Sequence, residues 1–238
     1  MPGTGSIPIS VLIAAYNQAQ YVGEALESVL AQDIDQGFVE VIVINDGSTD
    51  GTRSVLDRYS DRVSIVDQEN QGLVATCNRG LSLATGHYIA RLDADDYAAP
   101  TWLRRTLETL DACPGGVCVY PDYVEVIDRQ ERRISLAAGN LYDLIACGTL
   151  LSADAIRRAG GFRPMYWEEY DLYLRLRQIG TFVHLPEPLY YYRKHSASMT
   201  ADPERRRAGW RELVDAWGER DLLEAGTSLE LSAVIEAQ

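Results

Sequence analysis

The chain has 238 residues, 46% hydrophobic and 24% charged, which is the composition of an ordinary globular protein. That length suffices for one large domain or for a domain with a small appendage. The formal net charge of −13 disfavours general nucleic-acid binding, which needs a basic face. It still permits one small anion, because a metal or a helix N-terminus supplies local positive charge.

No apolar run reaches the ~18 residues that indicate a membrane span. Residues 1–6 show no signal peptide and are interpreted as a flexible leader. The cysteines form no CxxC pair and have mostly apolar neighbours; they are Cys77, Cys113, Cys118 and Cys147. Such a pattern indicates buried, reduced thiols rather than a zinc site or a disulfide framework, so we expect a cytoplasmic protein.

The first half of the chain alternates strand and helix patterns. Short apolar runs predict buried strands at Ile9–Ala14, Val39–Ile44, Val63–Val66 and Tyr88–Leu92. Helical spacing or start signals predict helices at 21–30, after a cap at Ser48 or Asp50, at Leu73–Leu83, and from Pro100 to Leu110. The alternation predicts an α/β fold with a predominantly parallel, doubly wound sheet and helices on both faces.

The second half is a smaller, mixed region. The predicted strands are Val117–Ile127, Phe182–Leu185 and Leu189–Tyr192, with a polar turn at Asp128–Arg133 and helices at Ser152–Ala159, Glu168–Ile179 and from Pro203. No linker separates two domains. We therefore predict one domain at 7–200, divided into halves 7–98 and 99–200, and a C-terminal helical extension at 201–238.

Polar residues follow three predicted strands at their carboxyl ends, namely Ala14-Ala15-Tyr16-Asn17, Asp46 and Asp93-Ala94-Asp95-Asp96. Ligands of an open parallel sheet bind beyond these ends, so the carboxylates are expected to converge in one crevice. Neighbouring carboxylates repel one another unless a cation or protons intervene. A hard divalent cation takes carboxylate and phosphate oxygens, so a metal site that holds a diphosphate is the functional interpretation. The alternative is a solvated turn.

Other positions have two interpretations each. Asp46 either caps a helix or accepts a ligand N–H, and Tyr16 either stacks on a base or packs. Glu168, Glu169 and Asp171 either complement a helix dipole or include a general base. The aromatic residues beside them suit a sugar face or a core equally well; they are Tyr166, Trp167 and Tyr170. Arg193, Lys194 and His195 form a cationic cluster that suits an anion or a metal.

Several chemistries lack their motifs. The chain has no GxGxxG after the first strand, no GxxxxGK[ST] loop, no GxSxG elbow and no HExxH. A dinucleotide oxidoreductase, a P-loop enzyme, an α/β-hydrolase and a zinc protease are therefore disfavoured.

Taken together in this order, several segments resemble glycosyltransferase family 2, the inverting enzymes with the GT-A fold. The resemblance covers about Ile9 to Thr200. The anchoring segments are Val11–Asn17, Val43–Asp50, Asn70-Gln71-Gly72, Ala90–Asp96, Gly160-Gly161-Phe162, Glu168–Leu172 and Tyr192–His195.

The resemblance implies roles for individual residues. Ala14, Ala15, Tyr16 and Asn17 would surround the base, and Asp46 would bind the imide N–H of a uracil. The nucleotide site would also include Asn70, Gly72, Arg91 and Ala94. Asp93 would contact ribose or metal, Asp95 would bind Mn²⁺ or Mg²⁺, and His195 would lie near both diphosphate and metal. The acceptor or diphosphate side would include Asp96, Trp167, Glu168 and Arg193.

One position departs from the family pattern. Family members usually carry Glu-Asp where this chain has Glu168-Glu169, so the catalytic position falls on Glu169, with Asp171 as the other candidate. The resemblance implies inverting transfer from a nucleotide-sugar donor to a sugar, glycan or lipid-linked acceptor, as in polysaccharide biosynthesis. A UDP-sugar is the first expectation for the donor, then dTDP-sugar and GDP-sugar.

Two other functions remain open at this stage. One is a sugar nucleotidyltransferase, although it would need a Gly-rich, basic loop where Ala15-Tyr16-Asn17-Gln18 stands. The other is a nucleotide-sugar-binding protein without efficient turnover. The arginines and tryptophans of the last predicted helix suit a peripheral contact at the inner face of the membrane, but packing of Trp210 and Trp217 onto the domain is the preferred interpretation.

Overall fold

A computed structural model describes residues 8–136, 139–195 and 198–237, so the predicted leader at 1–6 lies outside the described residues. The strands are β1 Ile9–Ala15, β2 Val39–Asp46, β3 Ser64–Gln68, β4 Tyr88–Arg91, β5 Tyr97–Ala98, β6 Gly116–Ile127, β7 Gln130–Ile134, β8 Leu150–Ser152 and β9 Thr181–Lys194. They form one sheet in the order β3-β2-β1-β4-β8-β6-β9-β5, and β7 pairs with β6.

The α-helices of the described ranges are α1 Val22–Leu30, α2 Thr52–Leu56, α3 Leu73–Leu83, α4 Trp102–Asp111, α5 Ala153–Arg158, α6 Glu168–Leu176, α7 Pro203–Trp217, α8 Glu219–Ala225 and α9 Leu229–Glu236. Successive side chains of β1 point to opposite faces of the sheet. Val11 and Ile13 pack in one core with α1 and α4, whereas Leu12 packs in the other with α3, α5 and α6. The predicted arrangement of helices on both faces is confirmed.

The first four strands are all parallel, as the sequence predicts. β1 pairs with β2 on one side and with β4 on the other, so that Leu12 lies opposite both Ile42 and Arg91. The chain therefore places β2 and β3 on one side of β1 and then β4 on the other side. This is the topological switch point at which open α/β sheets form a crevice beyond their strand ends.

The second half is mixed, because β8 runs antiparallel to β4 and β6 while β9 runs parallel to β6. The predicted turn at Asp128–Arg133 is wrong in extent. Only Asp128 and Arg129 form the turn, with φ of 49° and 65°, and β7 then continues as a hairpin strand. Two successive residues with positive φ match the twist of paired strands. The polar composition of the segment after them concealed the strand β7.

β9 is one strand and not the two predicted ones. Its pairing with β6 shifts in register around Pro186 and Pro188, because proline has no N–H to donate to a ladder. The irregularity interrupts the apolar pattern, although the strand continues to Lys194 and reaches the edge of the crevice described below.

The last three helices pack on the core beside α6. Trp210, Leu213 and Leu222 are buried there, and Trp217 packs against the same cluster. The arrangement fits the preferred interpretation of the last helices, in which the tryptophans face the domain. In the described ranges, no helix has both the length and the apolar character needed to cross a membrane.

Candidate active site

A crevice of about 1040 Å³ lies beyond the carboxyl ends of β1, β2 and β4, between the two halves of the chain. Most of the residues singled out in the sequence line it: Ala14, Ala15, Tyr16, Asp46, Asn70, Gly72, Arg91, Asp93, Ala94, Asp95, Trp167, Glu168, Glu169 and His195. The predicted convergence of strand ends is therefore present. Four predicted site residues do not line it, and each of these has another structural role.

Asp46 holds the loop that precedes α3. It is 4% exposed, and its carboxylate accepts hydrogen bonds from the backbone N–H groups of Gln71 (2.8 Å) and Gly72 (2.9 Å) and from the Gln68 amide (2.8 Å). It therefore does not cap a helix at its own strand end. A carboxylate has about four acceptor positions, so one remains for a ligand N–H.

The predicted binding role of Asn17 is not supported by its position. Its N–H donates to the Ser48 hydroxyl (3.0 Å) and its side-chain oxygen accepts from the Thr49 N–H (2.8 Å), so it clamps two loops together outside the crevice. The neighbouring Tyr16 is 49% exposed and lines the crevice, where its ring is available to a flat ligand.

Asp95 and His195 come from opposite halves of the chain and meet at the crevice. The His195 Nε2 lies 2.9 Å from an Asp95 oxygen, and Tyr21 stacks on the imidazole at 5.3 Å. Burial raises the pKa of Asp95, and the nearby Asp93 carboxylate raises that pKa further. A cation between the carboxylates would relieve this repulsion, so the donor set fits a divalent metal.

Asp96 lies under the crevice and not in it. It is 1% exposed, and its oxygens accept hydrogen bonds from the Tyr190 hydroxyl (2.9 Å) and the Arg193 N–H (2.7 Å). The Arg193 guanidinium likewise points away from the crevice, donating to the Asp95 carbonyl (2.6 Å) and to Glu24 (2.7 Å). Neither Asp96 nor Arg193 therefore lines the crevice, where contacts with diphosphate or acceptor were expected, and both residues brace the Asp95 loop.

A second potential metal-binding group overlaps the first. Ligand-capable atoms of Asp93, Asp96 and Cys147 lie within 4.8 Å of one another. However, the Asp96 oxygens already have partners, and burial raises the pKa of the Cys147 thiol well above its usual value. A neutral thiol is a poor ligand for Mn²⁺ or Mg²⁺, so the oxygens of Asp93 and Asp95 with His195 fit these ions better.

Arg91 connects the start of α6 to the turn at Asp93–Asp96, named here the acidic turn. It is 7% exposed, and its guanidinium donates to Asp93 (2.8 Å) and to Glu168 (2.8 Å). Glu168 is itself buried, so this ion pair supplies the charge compensation that a buried carboxylate needs.

Glu169 follows at the edge of the crevice. Within the described ranges, its Oε2 is buried and has no hydrogen-bond partner. Burial raises the pKa of Glu169 well above its ordinary value, and the adjacent Glu168 charge acts in the same direction. A carboxylate with a raised pKa is a stronger base, so this environment suits a group that accepts a proton from a ligand.

Asp171, the other candidate base, is outside the crevice. It is 1% exposed and accepts hydrogen bonds from Arg175 (3.0 Å) and from the indole N–H of Trp217 (3.0 Å). Residues two apart on a helix point about 200° apart, which separates Asp171 from Glu169. Asp171 therefore does not line the crevice, where a catalytic contact was expected, and it joins α6 to α7.

The aromatic residues before and within α6 serve the core and the crevice together. Trp167 is 6% exposed and lines the crevice, while its ring packs near Tyr170 (5.3 Å) and Trp210 (5.4 Å). Trp167 therefore packs in the core and also lines the crevice, while a contact of its ring with a sugar stays a prediction.

Several residues of the second half line the crevice without having been predicted to do so: Tyr123, Glu125, Leu144, Ile145, Tyr192, Met199, Arg205 and Arg206. One signal was available, because Glu125 is a charged residue inside a strand-like apolar run. The contributions of the loop at 144–147 and of the start of α7 depend on long-range packing and carry no local signal.

Comparison with solved structures defines the class of fold. TarS of S. aureus in complex with UDP-GlcNAc superimposes with a TM-score of 0.74 at 18% identity, covering 91% of this chain and 71% of that chain. Mannosyltransferase PcManGT from Pyrobaculum calidifontis in complex with GDP-Man and Mn²⁺ gives 0.70 at 17% identity, covering 98% and 80%. The predicted GT-A fold is confirmed.

Sequence comparison then gives the family. Residues 10–173 match the family model for glycosyl transferase family 2. An uncharacterized glycosyltransferase of Haemophilus influenzae is 29% identical over 79% of this chain and 65% of its own length. A chondroitin synthase of Escherichia coli is 30% identical over 76% of this chain and 28% of its own length. This chain belongs to glycosyl transferase family 2, and it spans less than two thirds of either relative.

Proposed function

We propose that the protein transfers a sugar, with inversion, from a nucleoside diphosphate sugar to an acceptor hydroxyl. The observation that carries this proposal is the shared crevice. It joins the strand-end residues of the nucleotide half, the Asp93, Asp95 and His195 cluster, and the high-pKa carboxylate of Glu169. A donor and an acceptor bound there would meet beside a base.

The proposed reaction is a single displacement. Glu169 accepts the proton of the acceptor hydroxyl while that oxygen attacks the anomeric carbon, and the bond from this carbon to the diphosphate breaks. A divalent cation held by Asp93, Asp95 and His195 would offset the charge of the leaving diphosphate. Arg91 keeps Asp93 and Glu168 in place on the two sides of this site.

A UDP-sugar is the proposed donor. The remaining acceptor position of Asp46, in a crevice wall that also contains Tyr16 and Asn70, suits an imide N–H beneath a stacked ring. A dTDP-sugar offers the same imide edge and comes second, and a GDP-sugar comes third. TarS was solved with UDP-GlcNAc and PcManGT with GDP-Man, so the fold accommodates either base.

The alternative is a nucleotide-sugar-binding protein without efficient turnover. It is favoured only if the longer Glu169 cannot reach an acceptor hydroxyl. Release of free sugar from a UDP-sugar separates the two functions, because hydrolysis needs a competent site and binding does not. A sugar nucleotidyltransferase would instead form a nucleotide sugar from a sugar phosphate and a nucleoside triphosphate.

Within the cell we propose a cytoplasmic location, supported by the four free cysteines.

Calorimetry with UDP, with and without Mn²⁺, tests the site assignment. We expect binding to require the metal and Asp95→Asn to weaken metal-dependent affinity at least tenfold, because a carboxylate ligand and a charge are lost. Asp154→Asn is the matched control, since this aspartate pairs with Arg158 on the surface away from the crevice. Metal-independent UDP binding, or unchanged affinity in Asp95→Asn, would contradict the proposal.

A further inference from the structure

Lys194 is the only lysine of the chain, against 21 arginines. It ends β9 and lines the crevice, where its ammonium lies 2.5 Å from the Oε1 of Glu125. Glu125 is only 4% exposed, so the lysine head is anchored to a buried carboxylate of the neighbouring strand. No step of the proposed transfer reaction uses either residue.

Strand geometry separates Lys194 from the side chains of Asp93, Asp95 and His195, which are called the metal cluster below. Successive side chains of a strand point to opposite sides. Arg193 and His195 turn towards Asp95, with the Arg193 guanidinium 2.6 Å from its carbonyl and the imidazole 2.9 Å from its carboxylate. Lys194 turns the other way, with Tyr192, towards β6. The end of β9 therefore has one face for the metal cluster and another for a different part of the crevice.

That second face carries two aromatic rings. Tyr123 and Tyr192 line the crevice and pack edge to face, with centroids 6.3 Å apart and an interplanar angle of 88°. Glu125 lies opposite Tyr192 in the β6–β9 register. Tyr123, Glu125, Tyr192 and Lys194 form one continuous surface, named here the β6–β9 strip. Aromatic rings beside polar groups suit the mixed apolar and hydroxylated faces of a sugar ring.

The charges of the strip favour a ligand that accepts hydrogen bonds. One oxygen of Glu125 pairs with Lys194 and the other accepts from Arg132 (3.0 Å), so both are occupied. An ammonium has three N–H donors, and Glu125 takes one. Lys194 and Arg132 both pair with the Glu125 carboxylate, so this group of three side chains is net positive in a chain of net charge −13. Anionic oxygens are the partners that such donors bind most strongly.

We infer that the β6–β9 strip is the acceptor subsite, and that it takes a sugar carrying an anionic group, whose oxygens bind Lys194 while the ring rests on Tyr123 and Tyr192. The inference rests on the proposed function, because it assumes that the donor occupies the metal-cluster end of the same crevice. The anionic group is a carboxylate or a phosphate, and both have the oxygens that Lys194 requires.

The single lysine permits a direct test. Biosynthetic incorporation of ¹³C,¹⁵N-lysine labels Lys194 alone, because the chain has one lysine, and it leaves all three N–H donors intact. The Lys194→Arg variant lacks the lysine NMR signal and thereby assigns it. We expect the Lys194 signal to shift, saturably and in the millimolar range, with methyl glucuronide, with glucose 1-phosphate or with both. Methyl glucoside should have little effect, and UDP with Mg²⁺ should not reproduce the shift.

Three results would overturn the inference. A shift with UDP and Mg²⁺ but not with the anionic sugars would assign Lys194 to the donor diphosphate. An equal shift with inorganic phosphate would indicate a simple anion site without sugar recognition. No response to either anionic sugar would remove the subsite altogether. A response to only one of the two anionic sugars supports the inference and identifies the anionic group.

Variants test the strip with unlabelled protein. Lys194→Met should weaken binding of the responding sugar at least tenfold, since a charge-assisted hydrogen bond is lost. Tyr123→Leu should weaken binding of the sugar more than binding of inorganic phosphate. Tyr59→Leu, outside the crevice, is the matched control for folding. Calorimetry of UDP with Mg²⁺ on the parent protein separates the two proposals. If UDP fails to bind, the proposed function fails. If UDP binds and no anionic sugar does, only this inference fails.

Discussion

Arg91 illustrates how much the residue environment adds to a motif. It lies two residues before Asp93 in the chain, and its side chain joins Asp93 to Glu168 in a buried network. Removing one partner of a buried ion pair commonly costs about 3–5 kcal/mol, because a charge is left uncompensated. The network therefore couples the position of a candidate metal ligand to the carboxylate beside Glu169.

At the residue scale, Glu169→Gln should lower turnover about 10²–10⁴-fold while metal-dependent UDP affinity stays near that of the parent, because the amide cannot accept the proton. Glu169→Asp should retain more activity. The parent rate should rise with pH through the pKa of Glu169, because the base must be ionised. Since burial raises that pKa, the acidic limb of the profile should lie above the ordinary glutamate value of about 4.3 and disappear in Glu169→Gln.

Asp171→Asn provides the control for this prediction. It should destabilise the fold, since Asp171 is buried and paired with Arg175, but leave turnover of the folded fraction close to the parent rate. Initial rates and denaturation midpoints measured on the same preparations separate the two effects. Parent-like turnover in Glu169→Gln together with loss in Asp171→Asn would show that the base is assigned to the wrong residue.

At the element scale, Trp210 shows how α7 supports the site. Trp210 is 3% exposed, stacks on Tyr170 at 5.3 Å, and donates its indole N–H to Glu230 of α9 (3.1 Å). It therefore packs against the helix that carries Glu169. This contact makes the C-terminal helices part of the frame of the crevice.

We expect Trp210→Ala to lower the free energy of unfolding by about 3–5 kcal/mol, because the substitution leaves a large cavity. Leu229→Ala on α9 is the control, because this side chain is 92% exposed and its loss should change stability by less than about 0.5 kcal/mol. Urea denaturation measures both. Equal midpoints for the two variants would mean that α7 does not pack on the domain as described.

Gly148, in the loop before β8, helps to position the acidic turn. Gly148 has φ of 80°, and a Cβ there would lie 2.8 Å from the ring of Tyr190. Only glycine fits this approach without strain. Tyr190 in turn accepts from the Asp93 N–H (3.0 Å) and donates to Asp96 (2.9 Å), so the loop before β8 holds the turn at the end of β4.

At the scale of the whole molecule, a ligand that fills the crevice contacts both halves of the chain. A ligand that binds only the folded state at 100 times its dissociation constant adds about 2.7 kcal/mol to stability. For a chain of this size that corresponds to an increase of roughly 5–10 °C in the melting temperature. We expect UDP with Mn²⁺ to produce it, with smaller increases for dTDP and GDP and none for UDP alone. Differential scanning fluorimetry measures the whole panel, and an equal increase without metal would contradict the assignment.

The sequence by itself determined the parallel half of the sheet, since apolar runs alternating with helical patterns have few other packed arrangements. It also determined that Asp93, Asp95 and Glu169 share a crevice, because the ends of parallel strands meet at one edge and the family motifs continue the set. These inferences depend on local pattern and chain order, both of which are readable along the chain.

The tertiary structure alone decided which polar residues face the crevice. Asn17, Asp96, Asp171 and Arg193 carry the same functional groups as residues that face it, yet their hydrogen bonds are satisfied elsewhere. Side-chain direction depends on strand register, helix phase and partners distant in the chain. For the same reason the β6–β9 strip was invisible in the sequence: Glu125 and Lys194 are 69 residues apart, and only the pairing of two strands brings them together.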